Sequence, residues 1–278
     1  MLMEERFQNS PAEVSAMNTE ALRSAFLIKD LLKAGEIRFV YSHYDRMVIG
    51  GVVPVVDEIH LQNYSQLKSE FFLERREMGI INIGGAGTII AQGKEYGLNK
   101  LDCLYLGSET KDVSFKSDDP KDPSNFYLLS SNAHHTYENK MMKKEETVTE
   151  SLGNATTSNE RIIYKYIHEK GIKSCQLVMG VTILNGGNVW NTMPAHIHYR
   201  RMEVYLYFDV DDSQRVFHFM GEPNQTRHLV MSANEAVISA PWSIHAGCGT
   251  SSYSFIWGMA GENQSFADMD FVEIKNLK

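Results

Sequence analysis

The chain has 278 residues, of which 43% are hydrophobic and 22% are charged, with 27 lysines and arginines against 35 aspartates and glutamates. This is the composition of a globular protein long enough to bury a sizeable core, which excludes a chain that is disordered throughout. The formal charge of −8 argues against nucleic acid as a partner, because binding the phosphate backbone requires a basic surface.

The cysteines and the apolar runs bear on the cellular compartment. Cys103, Cys175 and Cys248 stand far apart, which fits neither a disulfide framework nor a cysteine-based zinc site. The first residues lack the apolar stretch of a signal peptide, and no run of apolar residues is long enough to predict a membrane span. We therefore expect a cytoplasmic protein that does not interact with a membrane.

Residues 1–36 are interpreted as an N-terminal arm that carries one helix. An amphipathic helix is predicted over residues 18–33, because polar residues at its start can cap it and apolar residues recur at helical spacing. The apolar face of this helix is formed by Leu22, Phe26 and Leu31.

From residue 37 the pattern changes to short apolar or alternating runs, which Gly, Asp, Asn and Pro separate at intervals of about ten residues. This rhythm is typical of sandwiches or barrels of antiparallel strands. A polar segment over residues 138–160 interrupts the rhythm, which resumes at residue 161. We predict an all-β protein in which residues 37–137 and 161–278 are two jelly-roll halves, joined by that connection.

Four residues of the second half have the types and spacing of a metal site. His196 and His198 are two apart in a predicted strand, so their side chains leave the same face. Glu203 begins the next apolar run, and His245 follows a later one. Three imidazoles and one carboxylate suit zinc, and they also suit divalent iron, manganese, cobalt or nickel. The alternative is that the histidines are accessible polar residues near a turn, but the complete set favours a metal site.

Arg201 and Tyr205 are the candidate substrate-binding residues beside these ligands. Because side chains alternate along a strand, at most one of Arg200 and Arg201 points into the cavity. Glu203 must face inward, and Arg201, two residues earlier, shares its face unless a bulge lies between His198 and Glu203. A guanidinium offers a two-pronged site for a carboxylate. Tyr205 shares the inward parity and could lend a hydroxyl, with a role in the core as the alternative.

The first half lacks these ligands and is expected to be structural or to line a subunit interface. In the corresponding places it has Leu73, Glu74, Arg75 and Lys111 or Asp112. The charged run over residues 74–77 is interpreted as a salt-bridged strand end, because ion pairs are common on protein surfaces.

Two short motifs of the second half resemble the metal-binding motifs of the cupin superfamily. These motifs are HIHYRRME and the later PWSIH. The second motif departs from the usual pattern, since its interval from Pro to His is one residue shorter. Ser243 stands in that interval where a glycine is usual, and Gly249 occupies the place of an asparagine.

Longer segments along almost the whole chain are similar to the 5-keto-4-deoxyuronate isomerase family, also called 4-deoxy-L-threo-5-hexosulose-uronate ketol-isomerases. They are VYSHYDRMVIGG, FFLERREMGIINIGGAGT, LNGGNVWNTMPAHIHYRRMEVYLYF, ISAPWSIHAGCGTSSYSFIWGMAGENQ and DMD. The resemblance implies a cytoplasmic, hexameric bicupin of bacterial pectin breakdown. It also implies one Zn²⁺ per chain, with ligands at His196, His198, Glu203 and His245.

The resemblance predicts a metal-dependent ketol-isomerase that interconverts 5-keto-4-deoxyuronate and 3-deoxy-D-glycero-2,5-hexodiulosonate. Such a reaction removes a proton beside a carbonyl and returns one to the neighbouring carbon, which requires an electrophile and a base. The sequence leaves the base open among Glu203, another carboxylate and a tyrosine. The alternatives are another metal cupin, such as an iron dioxygenase, and a non-enzymatic sugar-binding cupin, which the intact ligand set disfavours.

Overall fold

The computed structural model describes residues 2–261 and 268–278. Its α-helices are short, α1 (Pro11–Ala16) and α2 (Thr19–Phe26). No helix of the described residues is long and apolar enough to cross a membrane. Residues 262–264, which end one of the family-like segments, lie outside the described ranges. Single 3-10 turns occur at Ser65–Leu67, Lys144–Glu146, Ala155–Thr157 and Ile274–Asn276.

Most of the first half of the chain forms one sandwich of two sheets. Its large sheet has the strand order β1-β3-β4-β11-β6-β9-β12, and its small sheet has the order β5-β10-β7-β8. The strands up to this point in the chain are β1 (Glu4–Arg6), β2 (Leu27–Ile28), β3 (Ile37–Ser42), β4 (Val48–Val52), β5 (Ile59–His60), β6 (Arg76–Asn82), β7 (Gly87–Ala91), β8 (Lys94–Leu98), β9 (Cys103–Leu106), β10 (Val113–Ser117), β11 (Phe126–Asn132) and β12 (Lys140–Met142).

The second half of the chain forms a second sandwich. Its large sheet has the order β13-β14-β15-β22-β17-β20-β2, and its small sheet has the order β19-β18-β21-β16-β23. The strands of this part are β13 (Val148–Leu152), β14 (Arg161–Ile167), β15 (Val178–Leu184), β16 (Trp190–Ile197), β17 (Met202–Phe208), β18 (Val216–Glu222), β19 (Gln225–Met231), β20 (Glu235–Ser239), β21 (His245–Gly249), β22 (Ser254–Ala260) and β23 (Asp270–Phe271).

The two large sheets have the same topology. In the first half β6 lies between β11 and β9, and at the equivalent place in the second half β17 lies between β22 and β20. Strands such as Met202–Phe208 are rich in aromatic and β-branched residues, which fit a pleated surface. At the tip of the β7–β8 hairpin, Gln92 and Gly93 both have positive φ, as the favoured two-residue turn requires. The duplicated all-β fold predicted from the sequence is thus confirmed.

The two large sheets pack against each other, so the small sheets lie on the outside. A Cβ atom built on Gly258 of β22 would lie 2.1 Å from Leu129 of β11, and one on Gly79 of β6 would lie 2.7 Å from Ile167 of β14. A side chain at either position would displace these neighbours, so glycine allows the two sheets to approach this closely. One apolar core fills the first sandwich, and a larger one spans the interface and the second sandwich.

The N-terminal arm differs from the sequence prediction because its helix ends early. The α2 helix starts after the Asn18 cap, as predicted, but stops at Phe26 instead of continuing to residue 33. The next residues form β2, which pairs with β20 at the edge of the second large sheet. Backbone pairing with that sheet outweighs the local helical pattern. Such long-range pairing cannot be predicted from the periodicity of the sequence.

The segment over residues 138–160, which we predicted as a connection, also contributes strands to both halves. Lys140–Met142 forms β12, which pairs with β9 of the first half. Val148–Leu152 forms β13, an exposed edge strand that pairs with β14 of the second half. Each half therefore receives one edge strand from this segment.

The charged run over residues 74–77 was wrongly interpreted as a salt-bridged strand end. Among the described residues, the ion pair of this run is that between Glu74 and Arg75, at 3.9 Å. Glu77 is fully buried between the halves, where it accepts hydrogen bonds from Tyr105 Oη at 2.7 Å and Ser131 Oγ at 3.1 Å. It also accepts the backbone N–H groups of residues 175–177 at 2.7–2.8 Å. Five donors from both halves thus converge on one carboxylate.

Candidate metal centre

The four predicted ligands come from both sheets of the second sandwich and meet at one end of it. His196 lies near the end of β16, His198 follows that strand, and His245 begins β21. His196 and His245 are direct partners in the register of these two antiparallel strands. Glu203 is the second residue of β17 in the large sheet and faces the small sheet. The sandwich therefore assembles residues that are up to 49 positions apart.

The ligand atoms of this cluster converge on one point. His196 Nε2 lies 2.9 Å from His245 Nε2 and 3.1 Å from His198 Nε2. Glu203 Oε2 lies 2.9 Å from His245 Nε2 and 3.2 Å from His198 Nε2. All four atoms lie within 4.8 Å of one another. The four shortest separations are close to the value of about 3.3 Å between nitrogen and oxygen ligands of a tetrahedral metal ion, so the cluster has the size of a site for one divalent cation.

Burial and close contacts shift the pKa values of three of the four residues. His196 is 9% exposed and the other three residues are less so. Burial and the imidazoles of His245 and His198 lower the pKa of His196 to about 2. Burial also lowers the pKa of His198. Burial raises the pKa of Glu203, but the neighbouring His245 and His198 outweigh it and hold this pKa below its ordinary value. Neutral imidazoles and an ionised carboxylate are the forms that bind a metal.

The donor set fits a divalent cation. Glu203 Oε2 is buried and has no hydrogen-bond donor among the described residues. Neutral imidazole nitrogens without a proton present lone pairs, which repel one another and the carboxylate at these distances. A cation at the shared point would satisfy all four lone pairs at once. The four residues are the only such group found among the described residues.

Ser239 supports one of the ligands from behind. This buried residue of β20 places its Oγ 3.2 Å from His245 Nδ1, on the side of the ring that faces away from the cluster. Such partners fix the orientation of a ligating imidazole. We expect Ser239→Ala to weaken metal binding by about tenfold, at the lower end of the range for such partners. Competition with a chelator measures this, and exposed Ser251→Ala is the matched control. Equal affinity in both variants would contradict the supporting role.

A cavity of about 160 Å³ opens beside the cluster. Three of the four ligand residues line it, His196, His198 and Glu203. Its other walls are mostly apolar and include Trp257 and Phe255. An apolar cavity with a few convergent polar groups is the usual form of a small-molecule site.

The structure places the two candidate substrate-binding residues differently. Tyr205 lines the cavity, as its parity predicts, and its Oη lies 3.0 Å from Thr192 Oγ1. Burial raises the pKa of Tyr205 well above its ordinary value. Arg201 is buried, as predicted, but it pairs with Asp268 at 2.5 Å and does not line the cavity. The chain turns after His198, so strand alternation does not extend to Arg201.

Sequence reasoning missed other polar residues of this sandwich. Arg161 and Thr182 line the cavity from β14 and β15, and neither belongs to a recognisable motif. His218 was left without a role, yet it is fully buried and lies 2.8 Å from Tyr207 Oη. Burial lowers the pKa of His218 to about 3. Only the alternation of the strands that carry these residues could have pointed to an inward position.

Proteins of known structure share this fold at low sequence identity. An IolB-like protein from Salmonella typhimurium LT2 is 13% identical, with a TM-score of 0.71 over 89% of this chain and 96% of that one. Oxalate decarboxylase from Lactobacillus farciminis is 9% identical, with a TM-score of 0.62 over 89% of this chain and 88% of that one. These similarities concern the fold alone, and they confirm the predicted cupin architecture.

Curated relatives match the chain over its whole length. Proteins named 4-deoxy-L-threo-5-hexosulose-uronate ketol-isomerase are 55% identical in Halalkalibacterium halodurans and 52% identical in Caldicellulosiruptor bescii. Both matches cover 99% of this chain and 100% of the relative. The model of the KduI/IolB family matches residues 26–274, which include the four clustered residues. The chain therefore belongs to the KduI/IolB family.

Proposed function

We propose that this protein is a metal-dependent ketol-isomerase that interconverts 5-keto-4-deoxyuronate and 3-deoxy-D-glycero-2,5-hexodiulosonate in the breakdown of pectin-derived uronates. The observation that carries the proposal is the buried cluster of three imidazoles and one carboxylate beside a cavity. Relatives about half identical over the full length, which bear the name of this isomerase, support the reaction.

Zn²⁺, one per chain, is the proposed cofactor, with His196, His198, Glu203 and His245 as its ligands. Three nitrogen donors and one oxygen donor in a compact cluster suit zinc. When bound, such an ion supplies Lewis-acid polarisation of a substrate carbonyl. We also propose a cytoplasmic protein, a hexamer of identical chains, with a small uronate-derived substrate as its partner.

The residues around the cluster would prepare the substrate for proton transfer. The apolar walls, including Trp257 and Phe255, exclude water from the reacting carbons. Burial raises the pKa of Tyr205 further above neutral pH, so its hydroxyl keeps its proton and would donate a hydrogen bond to a substrate oxygen, not act as a base. Arg201 stays a proposed substrate residue, although its guanidinium is paired with Asp268.

The reaction should need neither a nicotinamide nor O₂. We expect purified metal-loaded protein to convert 5-keto-4-deoxyuronate to the diulosonate under anaerobic conditions, because an isomerisation has no net redox change. NMR spectroscopy of the substrate follows the conversion directly. Turnover that appears only while oxygen is consumed would refute the isomerase and favour an iron dioxygenase.

The first half should be needed for the second. The proposed boundaries are an arm over residues 1–36, halves over 37–137 and 161–278, and a connection over 138–160. The second large sheet takes its edge strand from Leu27–Ile28, and residues 175–177 bind Glu77 of the first half. We therefore expect residues 161–278 alone to be insoluble or metal-poor, as solubility and elemental analysis would measure.

The oligomeric state of the intact chain is a separate test. Light scattering should report about six chains per particle if the apolar strands of the first half also serve assembly. A monodisperse monomer with full activity would contradict the assembly role of that half.

A further inference from the structure

One cationic side chain faces the cavity from the side away from the metal cluster. Arg161 is the first residue of β14, and its side chain lines the cavity together with Thr182 and Tyr205. Its Nη1 donates one hydrogen bond, at 2.9 Å, to the carbonyl oxygen of Asn159. Within residues 2–261 and 268–278, no carboxylate lies within ion-pair distance of Arg161.

The register of the large sheet relates Arg161 to Glu203. Successive pairs along the inner face are Ile163 with Thr182, Thr182 with Phe255, and Trp257 with Tyr205. Arg161 lies two residues before Ile163 and Glu203 lies two residues before Tyr205, so they occupy opposite corners of this face. Their strands, β14 and β17, are three places apart in the sheet. Across the sheet the two residues are three strand spacings apart, about 14 Å, and along the strands the register offsets them by six residues, about 20 Å. Both side chains nevertheless line the same cavity, Arg161 from one end and Glu203 from the other, so a carbon chain with an anionic end suits the space between them.

The electrostatic setting of this arginine favours an anionic ligand. Burial lowers the pKa of Arg161, which means that its charge has lost part of its hydration. A guanidinium stays charged in proteins and donates through five N–H groups. Glu150 stabilises this charge from beyond ion-pair distance. A partly desolvated cation without a directly paired carboxylate still gains from an anion that enters the cavity. Arg201, in contrast, already has Asp268 as a partner.

We propose that Arg161 binds the carboxylate of the substrate and thereby directs its carbonyl end to the four-residue cluster. This inference rests on the proposed function, since it takes a uronate as the substrate. The planar fork of the guanidinium matches a carboxylate in two parallel hydrogen bonds. Thr182 and Tyr205 are placed between the two ends of the cavity, where their hydroxyls would meet the hydroxyl groups of the carbon chain.

The test combines a change in the protein with a change in the substrate. The wild type should have a KM for 5-keto-4-deoxyuronate about 10- to 100-fold lower than for its methyl ester, because the ester lacks the charge. Arg161→Gln should raise the KM for the acid by a similar factor, leave kcat within a few-fold, and abolish the preference over the ester. The KM of Arg161→Lys for the acid should lie between those of the wild type and Arg161→Gln, because lysine keeps the charge but lacks the planar guanidinium.

Controls separate binding from folding. Arg215→Gln removes an exposed arginine of the same half and should behave as the wild type. Metal content and melting temperature should match the wild type in the Arg161 and Arg215 variants. The comparison of the acid with its ester in the wild type requires no variant. The inference is overturned if the wild type uses the ester as well as the acid, or if Arg161→Gln keeps the preference. Loss of the preference in Arg201→Gln instead would assign the carboxylate to Arg201. A wild type that does not convert the acid would refute the proposed function itself.

Discussion

The His196→Ala variant should lose most of its bound divalent metal and most of its isomerase activity. His196 Nε2 lies within 3.1 Å of the Nε2 atoms of both other histidines. Removing an outer-shell partner already costs about 10- to 100-fold in affinity or activity. Loss of a direct ligand should cost at least as much. Elemental analysis of purified protein, together with the NMR assay, measures both effects.

A control distinguishes this loss from a general effect of removing an imidazole. His60→Ala changes an exposed histidine of β5 in the first half and should keep both metal and activity. Because misfolding would also release metal, circular dichroism should show that His196→Ala retains its β-structure. Full retention of metal after replacing both His196 and His198 would rule out this cluster as the binding site.

The largest loss of stability should follow the replacement of Glu77 by alanine. This change leaves the backbone N–H groups of residues 175–177, together with Tyr105 Oη and Ser131 Oγ, without the carboxylate that accepts their hydrogen bonds. A buried donor left without its acceptor costs about 1–3 kcal/mol, so the loss of an acceptor that five donors share should cost at least about 3–5 kcal/mol. That corresponds to a melting temperature lower by roughly 6–20 °C for a chain of this size. Thermal unfolding followed by circular dichroism provides the measurement.

The neighbouring Glu74 offers a matched comparison. Its carboxylate is partly exposed, and its ion pair with Arg75 is long. Exposed ion pairs contribute about 0–1 kcal/mol, so Glu74→Ala should leave the melting temperature almost unchanged. If Glu77→Ala were as stable as Glu74→Ala, the carboxylate between the halves would have no structural role.

The clustered residues can be predicted from the sequence more completely than the rest of the site. His196 and His198 share a face because they are two apart at the end of a strand, Glu203 lies near the start of β17, and His245 begins β21. The residue types and local spacing therefore predict a cluster before any tertiary contact is known. The duplicated strand order follows in the same way from the repeated rhythm of apolar runs.

Features that depend on distant pairing could not be predicted in this way. Arg161 reaches the cavity only because β14, β15, β22 and β17 are neighbours in the sheet, and the order of strands is not a local property. The early end of the α2 helix at Phe26 depends on pairing between β2 and β20, more than 200 residues along the chain. The turn after His198 ends the strand alternation on which the predicted position of Arg201 was based.

Activity measured against metal content shows whether a metal held by these four residues carries the isomerisation. Protein stripped by a chelator would be reloaded with Zn²⁺ in steps, and conversion of 5-keto-4-deoxyuronate would be followed by NMR. We predict that activity rises in proportion to bound metal and reaches its limit at about one ion per chain, while His196→Ala stays inactive throughout. Full turnover by the metal-free protein would contradict the account.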